Sequence, residues 1–356
     1  MCSLCPGELV KPKDSQNPLV MSLDEMGLKG SIEEDMFPAA VEAMMEDGTI
    51  YGYPTLLCGN VVTSIDPVST AKCPIDKGRA SLIEYKNALK TCKDNFIDSS
   101  KSETLLVGKM SDKYGWYLPY IYLDGYIDKY GKSSLAKAVE ELEKGSVDCE
   151  LCKELRWFIG LCQTQNKTKN KCKDGSISTS DIQNSIINHK AVVMFSFSEK
   201  LSQVLKKCDS RPLRTPQALA SVSLGNQNYM LQFTDGLVVS KKRWKEHNEG
   251  ERDAIKQFVK MFTSSIFRYK LAYGVDLKKP QVRYLLIPNK DFYEAPSPAA
   301  FDPIYMNAQK FLEEAVPAPA LKNKSKVQDL LKRKCLRSST PTEEVYQREK
   351  VNSELL

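Results

Sequence analysis

The chain has 356 residues, 42% of them hydrophobic and 27% charged, and a net charge of +6; that length fits two packed lobes better than one core. Residues 321–356 hold nine Lys or Arg against five Asp or Glu, so the body is nearly neutral and its composition gives no case for nucleic-acid binding. The longest apolar stretches, such as Ala191–Phe197, fall far short of the roughly 20 residues that cross a bilayer, which excludes a transmembrane helix.

In chain order, Met36, Phe37, Ala40, Val41 and Met44 recur at helical spacing and predict a helix over Glu33–Glu46, with Pro38 delaying its regular part and Asp47-Gly48 ending it. Thr49–Ser64, punctuated by Gly52 and Pro54, reads as a strand, a sharp bend and a second strand. Helices are expected over Arg79–Thr91, Pro119–Tyr130 and Ser134–Lys144, and the polar stretch Gln163–Ser180 reads as a loop carrying Cys172 to a disulfide partner. A short helix at Asp181–Ile187, buried strands at Ala191–Phe197 and Tyr229–Val239, a helix at Glu251–Thr263 and a short strand at Tyr284–Pro288 follow. Ala308–Ala315 closes the body, and the tail from Leu321 reads as disordered, its Lys332-Arg333-Lys334 run as a solvated charge cluster. Strands alternating with helices predict an α/β class with largely parallel sheets.

Eleven cysteines, clustered at Cys149, Cys152, Cys162, Cys172 and Cys208, read as the disulfide framework of a secreted protein. Asn166-Lys-Thr and Asn323-Lys-Ser are glycosylation acceptors. Met1–Asn17 has no apolar core of a secretory signal, so secretion requires a signal upstream of the given start; the alternative is a cytoplasmic protein. The odd count leaves at least one cysteine outside any intrachain bridge, and Cys58 is the choice. His189 and His247 stand far apart, which argues against a zinc site or a Cys/His pair; no metal and no organic cofactor is expected.

The segment Gly48–Asn60, GTIYGYPTLLCGN, resembles the stretch of the thiaminase I family in which a nucleophilic cysteine follows a Tyr-small-Pro bend. Lys109–Gly131, Val193–Lys200, Leu231–Val239 and Tyr284–Ala295 resemble further family segments in the same order, covering roughly residues 20–320. The resemblance implies a two-lobed α/β fold of the type II solute-binding-protein kind with a cleft between the lobes. It divides the chain into a first lobe of residues 1–62 and 234–270, a second of 63–233 and 271–320, and the tail 321–356. Cys58 has only 57 residues before it, about one βαβ step fewer than the family has, so the first lobe is expected to be incomplete at its N-terminal part: either the chain begins further upstream or it is a shortened descendant.

The family's activity would exchange the thiazole of thiamine for another nucleophile through a cysteine adduct on the pyrimidine. On this chain the resemblance implies Cys58 as nucleophile, Glu199 as the base that takes its proton, and Asp235 as the acceptor for the ring amino group. Phe197, Phe233 and Tyr53 would contact the substrate, with Phe at two positions where the family usually has Tyr. The implied partners are a cationic heteroaromatic substrate and a nucleophilic acceptor. Each residue keeps a plain alternative: Cys58 as a core or disulfide residue, Glu199 as a helix-start carboxylate capped by Ser198, Asp235 as a turn residue before Gly236, and the phenylalanines as core. A non-catalytic solute-binding protein and an extracellular matrix protein are the alternatives to the enzyme.

Overall fold

A computed structural model describes residues 19–30, 32–64, 104–110, 112, 114–162, 172, 177–188, 191–201, 218–221, 229–262, 264–275 and 282–336. The helix expected at Arg79–Thr91, together with Cys208, Asn166 and His189, lies outside the described residues.

The first helix is divided where proline demands it. Pro38 has no N–H to donate and fits only a first turn, so α1 (Ile32–Asp35) stops and α2 (Pro38–Glu42) begins on it. The residues picked out by helical spacing, Met36, Phe37, Ala40, Val41 and Met44, are all buried. Met45 and Glu46, expected as helix, instead form β1 (Met45–Glu46) and pair antiparallel with β2 (Thr49–Ile50). Asp47 and Gly48 stand at φ of 49° and 74°, the backbone of a tight two-residue hairpin that a helix cannot accommodate.

The remaining strands are β3 (Tyr53–Ser64), β4 (Thr104–Gly108), β5 (Ala191–Phe197), β6 (Ala218–Ser221), β7 (Leu231–Leu237) and β8 (Val316–Pro317). They form one mixed sheet in the order β4-β5-β3-β7-β8, with β6 also on β3. The long β3 organises it: residues 53–59 pair with β7, and residues 60–64 pair with β5 and β6, all antiparallel. Among the described residues only β4–β5 and β7–β8 are parallel. The largely parallel sheet expected from alternating elements is therefore corrected, because alternation does not fix the direction in which a chain re-enters beside an earlier strand. Tyr284–Pro288 is not a strand either; Leu286 makes a single bridge to Leu57, and Tyr284 at φ 52° breaks the extended backbone.

The helices that follow are α3 (Leu118–Tyr130), α4 (Leu135–Glu143), α5 (Cys149–Gly160), α6 (Thr179–Ile187), α7 (Lys241–Glu246), α8 (Glu249–Met261), α9 (Ser265–Tyr273), α10 (Pro303–Leu312) and α11 (Lys324–Leu331). Asn248 and Glu251 form a reciprocal capping box that starts α8. The two faces of β3 enter different cores, as a period of two requires. Val62, with Phe195 and Phe233 from its neighbours, packs under α3 and α5, whereas Leu57 and Val61 join Met194, Leu286 and α10. A third core surrounds Met21, Met36, Met44 and Tyr53.

Residues 321–336, expected within a disordered tail, are packed, and helical from Lys324 to Leu336. Leu321, Val327, Leu331 and Leu336 are buried in the core under α3, and Cys335 is bridged to Cys152 on α5. The basic composition of the segment concealed this apolar stripe. A second disulfide joins Cys162 and Cys172, so Cys172 is bridged as expected, with a partner that the sequence left open. Cys149, by contrast, is an exposed thiol.

Candidate functional site

Cys58 lies in the middle of β3 as a half-buried thiol, directly opposite Phe233 of β7. Two residues on, Asn60 stands opposite Phe197, the last residue of β5. Two residues from Phe233, Asp235 stands opposite Leu56. Because alternate strand residues share a face, Cys58, Asn60, Phe233, Asp235 and Phe197 occupy one side of the sheet. Four of the six residues singled out as catalytic or substrate-binding are thereby brought together.

Above this face runs α3, preceded by an aromatic turn. Phe233 meets Phe197 edge to face with ring centroids 5.5 Å apart, Tyr120 at 4.7 Å and Trp116 at 6.2 Å; Tyr117 lies 4.8 Å from Phe197. The thiol therefore stands beside an aromatic wall built from three elements, packed against it at the edge of the core. Phe197 and Phe233 are both wall and core, each under 10% exposed, whereas Trp116 is half-buried. Asp235 is half-buried, and burial raises its carboxyl above the usual range.

The wall is tied to the sheet by two buried carboxylates one helical turn apart on α3. Asp124 accepts hydrogen bonds from the Asn60 side-chain amide at 3.1 Å and from the Leu231 N–H at 2.6 Å. Asp128 accepts from the Tyr229 N–H at 2.9 Å. Burial pushes Asp124 well above the ordinary carboxylate value, opposed by those two bonds. The pair pins β3 two residues beyond Cys58 and β7 two residues before Phe233.

Glu199 follows β5 in a single 3-10 turn, Ser198–Lys200, on the strand next to Cys58; its side chain lies outside what the structure describes. Tyr53 is set apart from the group. It is 4% exposed, in the third core, and lines a separate polar cavity of about 780 Å³ together with Arg268, Asn289 and Asp291. Burial pushes its hydroxyl up to about 12. Asn323 is exposed at the start of α11. Among the described residues no group of three or more His, Cys, Asp or Glu could hold a metal ion, and no helix is long and apolar enough to cross a membrane.

No family model matches the sequence, and no curated protein matches it. Solved structures do. Thiaminase I of Clostridium botulinum in complex with thiamin superposes with a TM-score of 0.61 at 15% identity, over 94% of this chain and 85% of that one. A chitin oligosaccharide binding protein gives 0.55 at 19% identity, over 94% and 78%, and a eukaryotic thiaminase I bound to 3-deazathiamin gives 0.53 at 15%, over 88% and 78%.

The fold is that of the two-lobed type II solute-binding proteins. Within it, the sequence reading missed Trp116, Tyr117, Tyr120, Asn60 and Asp124. A signal for the aromatics existed in the run Tyr114-Gly-Trp116-Tyr117-Leu-Pro-Tyr120 and for Asp124 in the acids at four-residue spacing after Tyr120, since carboxylates on the inner face of a buried helix need dedicated donors; Asn60 had none.

Proposed function

We propose that this chain is a thiaminase-type transferase, which exchanges the thiazole of thiamine for another nucleophile through an adduct between Cys58 and the pyrimidine. The observation that carries the reading is the half-buried Cys58 thiol facing Phe233 across the β3–β7 pair, with Phe197 and Asp235 on the same sheet face. A thiol of ordinary pKa about 8.5 is mostly protonated at neutral pH, so a base is required. Glu199, in the turn that ends the adjacent strand, is proposed for it. Asp235 would accept from the ring amino group and favour a permanent cation, and the ring wall supplies stacking faces.

The thiaminase structures superposed on this chain are complexes with thiamin or an analogue of it, which supports a heteroaromatic ligand. The two disulfides support secretion and an oxidising compartment, with Asn166 and Asn323 as glycosylation sites. The second reading, a non-catalytic solute-binding protein, is favoured by the likeness to an oligosaccharide-binding structure.

Incubating the chain with thiamine and an amine acceptor separates the two. The enzyme consumes thiamine and releases thiazole, and Cys58→Ser abolishes the loss. A binder retains thiamine or a sugar without turnover, and its affinity is unchanged by Cys58→Ser.

A further inference from the structure

Trp116, a ring of the aromatic wall beside Cys58, already carries a cation on one face. The Lys324 ammonium lies 3.3 Å from the centroid of the Trp116 indole and 5.9 Å from that of Tyr120, and those two rings are stacked at 6.2 Å. Trp116 in turn packs against Phe233, the residue opposite Cys58.

This placement is built by several contacts. Gly115 is at φ 73°, and a Cβ there would lie 2.5 Å from the carbonyl oxygen of Lys324, so only glycine permits the approach. Gln328, one turn along α11, accepts from the Asp112 N–H at 3.2 Å and donates to the Asp112 carbonyl. The Asp112 carboxylate accepts from the Trp116 N–H at 3.0 Å, and Tyr120 donates to the Pro319 carbonyl at 3.2 Å. Beyond α11, Cys335 is fastened to Cys152. The segment that delivers Lys324 thus also holds the turn that carries its aromatic partner.

We propose that Lys324 is a specificity-determining residue of the site: an internal cation that occupies the Trp116 face and must be displaced by any cationic ligand stacking there. An indole face attracts a cation through its ring quadrupole, and a second positive charge on the same face is repelled by the first. The residue therefore excludes weakly held cations and admits only ligands with further contacts at the Cys58 side. The inference rests on the reading that this cleft takes a cationic heteroaromatic molecule, but its test does not need turnover.

The probe is tetramethylammonium chloride, followed by calorimetry and by tryptophan fluorescence on the full chain with disulfides intact. Lys324→Met and Lys324→Gln, both neutral and helix-compatible, bind tetramethylammonium about 2- to 30-fold more tightly than wild type, the range that a single cation–π contact spans. Lys324→Arg stays at the wild-type value, and adding Trp116→Leu to Lys324→Gln removes the gain. Unchanged affinity in both neutral variants, or a gain that survives Trp116→Leu, overturns the proposal. Thiamine added to the same proteins without turnover would count against the enzyme alone and leave the result with tetramethylammonium standing.

Discussion

Replacing Asp124 tests whether α3 truly holds the candidate site in place. Asp124→Ala leaves the Leu231 N–H and the Asn60 amide as buried donors whose described acceptor is gone. Each buried donor left without its acceptor costs about 1–3 kcal/mol, so with two such donors the variant should lose about 2–6 kcal/mol. Asp124→Asn is different. Its oxygen can accept from Leu231, and its amide can donate to the Asn60 Oδ1, a buried atom with no partner, once Asn60 turns over. That variant should stay within about 1 kcal/mol of wild type at neutral pH.

The two proteins also differ in pH dependence. Burial raises the folded-state pKa of Asp124 above the unfolded value, so the folded protein holds its proton more tightly. The stabilisation from this group is complete below an unfolded pKa of about 3.9 and is lost as pH rises through the raised folded value. The Asn variant lacks that loss and gains on wild type as pH increases. Urea denaturation across this pH range, disulfides intact, reads both effects. An Ala variant within about 1 kcal/mol of wild type, or an Asn-minus-Asp difference flat with pH, would show that Asp124 does not fasten α3 to the sheet in this way.

Asp235, raised by burial, must ionise to attract a cation, so thiamine affinity should climb as pH rises through its elevated value and then level. Asp235→Asn should flatten that profile and weaken binding by about 10- to 150-fold, the worth of one charge-assisted bond, as read by calorimetry. Removing the Cys152–Cys335 bridge, which closes a separation of 183 residues, should cost about 2–5 kcal/mol, measured by denaturation of the double Ala variant. Asp291 holds the nearly buried Arg268 through a two-point ion pair, but its own side chain is 63% exposed. Asp291→Ala should accordingly cost about 1–3 kcal/mol in thermal or urea unfolding, less than a fully buried pair.

Much of the scaffold was legible because periodicity reports burial directly. The run Ala191–Phe197 is β5, Pro119–Tyr130 lies within α3, and the apolar positions around Pro38 are buried. Strand direction was not legible, because an isolated apolar run carries no sign of which neighbour it will meet, and β3 meets three antiparallel ones. The order at 321–336 escaped because its lysines dominate the composition while Val327, Leu331 and Leu336 make the contacts.

At the site, Cys58, Phe197, Phe233 and Asp235 could be nominated from local motifs, and pleat alternation explains why they share a face. Trp116 and Lys324 are 208 residues apart in the chain and meet only through tertiary packing. Tyr53 shows the opposite failure: adjacent in motif to Cys58, it lies beyond the bulge between Pro54 and Leu56, is buried in the third core and lines a separate cavity, and a local motif carries no sign of that bulge.

The role proposed for Cys58 is that of a nucleophile beside the aromatic wall. The measurement is the rate of thiamine consumption with an amine acceptor by wild type and Cys58→Ser at equal folded concentration, with mass spectrometry of the intact protein for the pyrimidine adduct. Wild type should consume thiamine and gain a pyrimidine-sized mass, and Cys58→Ser should do neither. Equal consumption by the two proteins, or none by either, contradicts it.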